Sequence, residues 1–133
     1  MHVGQDDLPP TVIRRILGGT AIVGLSTHSN DQVRAASRLA IDYVAVGPVF
    51  GSHTKTAAGE AVGTNLVTSA AAILRESGES KPIVAIGGIT LERAPAVLEA
   101  GAAAVAVISD LLSTGDPEER VRQYLRALEV GSA

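Results

Sequence analysis

The sequence predicts an α/β protein built on a parallel sheet. Short β-branched runs alternate with longer amphipathic stretches, the apolar residues are mostly Ala, Val, Ile and Leu, and aromatic residues make up only 2% of the 133. Small and branched side chains fill parallel strands and the helices packed on them. Alternation of the two patterns is the signature of repeated βα units.

Taken in order, the chain opens on a strand stub at His2 and Val3. Pro9 and Pro10 then open a helix through Val12, Ile13, Ile16 and Leu17, which stops at Gly18 and Gly19. A strand is predicted over Ala21–Leu25. Ser29 with Gln32 forms a capping box for a helix whose apolar face is Val33, Ala36, Leu39 and Ala40. Tyr43–Val46 reads as a buried strand, and residues 47–63 form a long loop rich in Gly, Ser, Thr and Ala. A loop of that length in a compact domain is usually functional. A helix through Leu66, Val67, Ala70, Ile73 and Leu74 runs to Gly78, and Pro82–Ile86 makes the next strand before Gly87 and Gly88. Thr90 is expected to cap a helix through Ala94, Val97 and Leu98, and Ala104–Ile108 is the last strand. Asp116, Pro117 and Glu119 open the final helix, with Val121, Tyr124, Leu125 and Leu128 on its apolar face. No linker interrupts the pattern, so residues 1–133 read as a single domain.

Composition excludes several classes. There is no Cys, which removes disulfides and thiolate metal sites and suits a reducing compartment. The first ten residues carry acid where a signal peptide carries base, and no apolar run approaches the roughly 18 residues of a membrane span. The formal charge of -3, without basic clusters, argues against a nucleic-acid surface. A cytoplasmic protein with no membrane partner is expected.

Ligand chemistry in parallel α/β sheets gathers at the C-terminal ends of strands, where loops lead into helices with free backbone N–H groups. Those ends carry Gly4-Gln5-Asp6-Asp7, then Ser26-Thr27-His28, then Gly47-Pro48 with Ser52-His53-Thr54-Lys55, then Gly87-Gly88, and finally Ser109-Asp110. Two glycines after one strand let the backbone approach an anion closely, and a serine before a short helical turn at the next strand adds a hydroxyl. This pairing suggests a phosphorylated ligand; a plain tight turn at Gly87-Gly88 is the alternative. Lys55 offers a cation for phosphate or pyrophosphate, or else is a solvated surface lysine. Asp6 and Asp7 are adjacent, so only one can face a site; it would suit Mg²⁺ as a hard ligand, or cap a helix. His28 could act as acid or base, or as a hydrogen-bonding wall of a pocket. His2 and His53 fit no metal-ligand spacing with it.

The segments HVGQDDLP, GLSTHS, DYVAVGPVF, HTK, VAIGGI and VAVIS occur in the order and approximate spacing of thiamine phosphate synthases. From Met1 to Pro117 the chain resembles that family, with thiazole tautomerases as related barrel proteins. The resemblance implies a partial TIM (β/α)8 barrel, running from the fourth strand to the eighth strand and final helix. A whole barrel takes roughly 200 residues or more.

The implied function is coupling of hydroxymethylpyrimidine diphosphate to thiazole phosphate, with release of pyrophosphate and with Mg²⁺ as cofactor. By the same resemblance Asp7 is a Mg²⁺ ligand, and Ser26 and Lys55 hold the leaving diphosphate. Ser52, His53 and Thr54 bind substrate, with Ser52 and Thr54 at the thiazole phosphate; Gly88, Ile108 and Ser109 complete its phosphate cradle. Family members commonly have Thr where Ser52 stands and Pro where Gly51 stands. Asp110, beside the presumed phosphate seat, must point away from it. A thiazole tautomerase using His28 as proton shuttle and a non-catalytic phosphate-binding half-barrel are the alternatives. Because an open sheet exposes its edges and one apolar face, the chain is expected to form a homo-oligomer or to pair with a separate N-terminal half.

Overall fold

A computed structural model of the chain describes residues 1–51 and 63–131. Ser52, His53, Thr54 and Lys55 lie outside the described residues.

The elements are β1 (His2–Val3), α1 (Pro10–Leu17), β2 (Gly24–Thr27), α2 (Asn30–Ser37), β3 (Tyr43–Val46), α3 (Gly63–Glu76), β4 (Ile83–Ile86), α4 (Ala94–Glu99), β5 (Ala104–Ala106), α5 (Ser109–Leu112) and α6 (Pro117–Gly131). The strands form one parallel sheet in the order β1-β2-β3-β4-β5. The order never reverses, so right-handed crossovers all step the same way and lay the helices on one face. On that face Val3, Leu25, Thr27, Val44, Val46, Ile83 and Ala85 are buried. They pack with Val33, Ala36, Val67, Ala70 and Val97 from the helices. Each fully buried valine contributes about 1.5–3 kcal/mol.

The other face carries His2, Gly24 and Tyr43 in one register row and Ser26 with Ala45 in the next. Ile86 on this face is 37% exposed. Among the described residues no helix covers it.

Caps follow local chemistry. Ser29 Oγ accepts from the Gln32 amide at 3.2 Å, and Gln32 Oε1 accepts from the His28 amide at 2.7 Å. Asp116 Oδ1 accepts from the Glu119 amide at 3.1 Å. Helix α2 stops at Ser37, so Ala40 lies beyond it and is exposed.

Other details differ from expectation too. The strand expected over Ala21–Leu25 begins at Gly24 and extends to Thr27. The residues before it serve a side-chain clasp instead: Arg14 donates to the Ala21 and Ala40 carbonyls and to Asp42, and Asp42 Oδ2 accepts from the Val23 amide at 2.7 Å. The Arg14 guanidinium and the Val23 amide hold the Asp42 carboxyl below its ordinary 3.8.

The last strand ends at Ala106 rather than Ile108, because the chain turns at Ile108 into α5. Thr90 does not cap a helix through its side chain: Pro95 sits in the first turn of α4, whose N-cap is Arg93, and the Thr90 carbonyl accepts from the Arg93 and Ala94 amides. On α6, Tyr124 is buried, whereas Val121 and Leu125 are 41% and 57% exposed.

Candidate functional site

The C-terminal strand ends meet at one rim of the sheet. Between the ends of β4 and β5 lies a pocket of about 210 Å³ lined by Gly87, Gly88, Ile89, Val107, Ile108 and Ser109, among others. The three residues expected to cradle a phosphate from this side therefore share one concavity. Gly88 has φ 62°, and a Cβ there would come 2.9 Å from Phe50 Cβ and the Phe50 carbonyl oxygen. Both the backbone conformation and the close approach demand glycine. The loop after β3 runs alongside: the Val49 amide donates to the Ile86 carbonyl at 2.9 Å and the Phe50 amide to the Gly87 carbonyl at 3.0 Å. Arg93 was not singled out in the sequence, yet its guanidinium lies 4.6 Å from the centre of the Phe50 ring and donates to the Gly88 carbonyl at 3.1 Å. This brings a cation to the back of the glycine turn.

Ser26 lies within β2 on the uncovered face, not in the loop beyond it. Its hydroxyl is 2.7 Å from Nε2 of His2, whose Nδ1 is 2.9 Å from the Tyr43 hydroxyl. The His2 and Tyr43 rings stack at 5.7 Å between centroids. Gln5 Nε2 donates to the Ser26 carbonyl at 2.7 Å. In the sequence, His2 fits no metal-ligand spacing, and no motif marks Gln5 or Tyr43 as partners of Ser26. The signal available was strand register, since pairing His2 with Gly24 and Gly24 with Tyr43 puts all three on the face that Ser26 shares.

Asp7 does not cap a helix. Pro9 occupies the N-cap of α1, and Asp7 Oδ2 accepts from the Gly4 amide at 2.7 Å, closing the turn after β1. His28 Nδ1 is 2.7 Å from the Gly47 carbonyl oxygen. A carbonyl only accepts, so Nδ1 is the donor in this hydrogen bond. This ties the end of β2 to the residue that follows β3.

Asp110 turns away from the pocket, as required. It is buried against α6, where Arg120 donates to both carboxylate oxygens at 3.1 Å and the Tyr124 hydroxyl donates at 2.6 Å. Burial works to raise its pKa, but hydrogen bonds from Arg120, Tyr124 and the Leu91 amide outweigh it and keep the carboxyl below its ordinary 3.8. Burial, then the hydrogen bond to Asp110, pushes the Tyr124 hydroxyl upward.

Ser26 near the end of β2, Gly88 after β4, and Ile108 and Ser109 after β5 thus stand at the same end of one parallel sheet, with β3 between Ser26 and the others. A family model for thiamine monophosphate synthase matches residues 1–111. The chain belongs to this family. The thiamine-phosphate synthase of Koribacter versatilis is 41% identical over 128 residues, covering 96% of this chain and 57% of that protein. The one from Mycolicibacterium vanbaalenii is 48% identical over 117 residues, covering 88% of this chain and 50% of that protein. The chain therefore spans about half the length of these family members. The thiamine phosphate pyrophosphorylase structure from Pyrococcus furiosus superposes with a TM-score of 0.83 at 25% identity, over 99% of this chain and 60% of that one. A KDPGal structure, with a TM-score of 0.72 at 18% identity, shares the fold with the family member described here.

Proposed function

We propose that the chain is the phosphate-holding portion of a thiamine-phosphate synthase, the activity named for its curated relatives. Its substrates would be hydroxymethylpyrimidine diphosphate and thiazole phosphate, in a cytoplasmic setting. The observation that carries this reading is the pocket shared by Gly88, Ile108 and Ser109 at the ends of β4 and β5. Backbone amides at a glycine turn and a serine hydroxyl would supply donors for phosphoryl oxygens, and preset donors are what a reaction with a departing pyrophosphate needs.

On this reading the pyrimidine methylene C–O bond breaks, pyrophosphate leaves with the bonding pair, and the thiazole nitrogen donates its lone pair to the resulting cation. Ser26 and Lys55 would hold the leaving diphosphate. Gly88, Ile108 and Ser109, with Ser52, His53 and Thr54, would hold the thiazole phosphate.

Mg²⁺ fits Asp7 as one ligand among several. Oδ2 is engaged by the Gly4 amide, which leaves Oδ1, and among the described residues no three His, Asp or Glu side chains cluster. A single exposed carboxylate oxygen suits an ion that takes most of its ligands from water and diphosphate oxygens. Such an ion would neutralise charge on the leaving group.

The five strands would correspond to the fourth through eighth of a barrel, within a single domain over residues 1–133. The uncovered face bearing His2, Tyr43 and Ile86 would then look inward. A second copy of this chain, or a separate N-terminal half, would close the sheet along β1 and β5. Among the described residues no helix is long and apolar enough to cross a membrane.

The reading is tested by adding thiazole phosphate to isotopically labelled chain and following the Gly88 and Ser109 amides. Both should shift together and saturate. Amides unmoved at millimolar ligand would remove the reading. Formation of thiamine phosphate from both substrates with Mg²⁺ tests turnover separately.

A further inference from the structure

The pocket has two walls from different parts of the chain, the Gly87-Gly88 turn after β4 and the Ile108-Ser109 turn after β5. Asp110 spans them. It follows Ser109 directly in sequence, and its Oδ2 accepts from the amide of Leu91, two residues beyond the pocket-lining Ile89, at 3.1 Å. The carboxylate is itself held from α6 by Arg120 and by the Tyr124 hydroxyl. Arg120 and Tyr124 lie beyond residue 111, where the family model's match ends.

We infer that Asp110 is a positioning residue for the phosphate pocket, fixing the Gly88 wall against the Ser109 wall through the Leu91 amide, with α6 as its anchor. This rests on the proposed reading of the pocket as a phosphate seat. Its physical basis is economy of partners: one buried carboxylate, joined to the Ser109 wall by its own backbone, accepts from the Leu91 amide beyond the other wall and from the final helix, so it cannot move without releasing all of them. Arg120 offsets its charge, so an anion in the pocket does not meet an uncompensated carboxylate.

The probe is inorganic phosphate, titrated into the labelled full chain. Two double variants, Asp110→Ala with Arg120→Ala and Asp110→Asn with Arg120→Ala, carry the same net charge and differ by an oxygen able to accept from Leu91. One hydrogen bond of ordinary strength corresponds to about a fivefold to tenfold difference in affinity, so the Asn form should bind phosphate tighter by that factor. Asp42→Ala, at the opposite strand ends, should lower stability and leave phosphate affinity unchanged.

In the unsubstituted chain, phosphate should slow hydrogen exchange at the Leu91 amide, a measurement that needs no variant to fold. Equal affinity of the two double variants, or Leu91 exchange indifferent to bound phosphate, overturns the inference while leaving the phosphate seat intact. No phosphate binding by the unsubstituted chain overturns both.

Discussion

A Cβ built on Gly24 falls 2.0 Å from Cζ of Tyr43, so the tyrosine ring occupies the space that any side chain at residue 24 would need. The ring is held there from β1 by His2, which also reaches Ser26. Three neighbouring strands are thereby locked by side chains on the uncovered face. Gly24→Ala should lower stability by about 1–3 kcal/mol through overpacking. Chemical denaturation of Gly24→Ala, Tyr43→Ala and the double variant checks this: the loss from Gly24→Ala should shrink when Tyr43 is already truncated. Additive losses would show that the ring yields freely.

The glycine turn makes a second prediction. Gly88→Ala places a Cβ against Phe50 at φ 62°, which should cost about 1–3 kcal/mol and abolish saturable phosphate shifts. Ser109 is exposed, so Ser109→Ala should leave stability within about 0.5 kcal/mol while weakening phosphate. Unfolding midpoints and phosphate titrations on the same samples separate the two effects.

Acid and alkali should act through different groups. Asp42 and Asp110 titrate lower folded than unfolded, so their contribution is complete above the ordinary 3.8 and is lost as pH falls below it. Tyr124 titrates higher folded than unfolded, with an ordinary value of 10.0, so its contribution is complete below that value and is lost as pH rises past it. Urea midpoints should therefore be flat across the neutral range and fall at both ends. Tyr124→Phe should flatten the alkaline limb, and Asp42→Asn should flatten part of the acid limb.

Metal dependence should concentrate at the β1 end. Asp7→Asn keeps an oxygen for the Gly4 amide but removes the charge, so the turn should survive. Calorimetry with pyrophosphate should show binding strengthened by Mg²⁺ in the unsubstituted chain, with most of that gain absent from Asp7→Asn. Inorganic phosphate at Gly88 and Ser109 should be indifferent to chelation of Mg²⁺. An undiminished Mg²⁺ effect in Asp7→Asn would free Asp7 from the role proposed for it.

The uncovered sheet face should drive association. Sedimentation at micromolar concentration should reveal species larger than one chain, and Ile86→Asp, which places a charge on that face, should reduce them. A compact monomer throughout would leave the sheet without the second copy proposed here.

The sequence by itself determined the strand and helix succession, because those signals are local. Pro9-Pro10, Ser29 with Gln32, and Asp116-Pro117 with Glu119 satisfy or avoid orphan amides within a few residues of themselves, and β-branched runs at Tyr43–Val46 and Ile83–Ile86 need no distant partner to be recognised. The residues of the pocket were legible for the same reason: Gly87, Gly88 and Ser109 sit at strand ends whatever their neighbours are. Only the tertiary structure decided which side chains meet. The Arg14 and Asp42 clasp that delays β2, the bridge from His2 to Ser26 and Tyr43, and the anchoring of Asp110 by α6 each join residues from separate elements. Such contacts depend on strand register and helix packing, which arise when the whole sheet forms and which no short window of sequence contains.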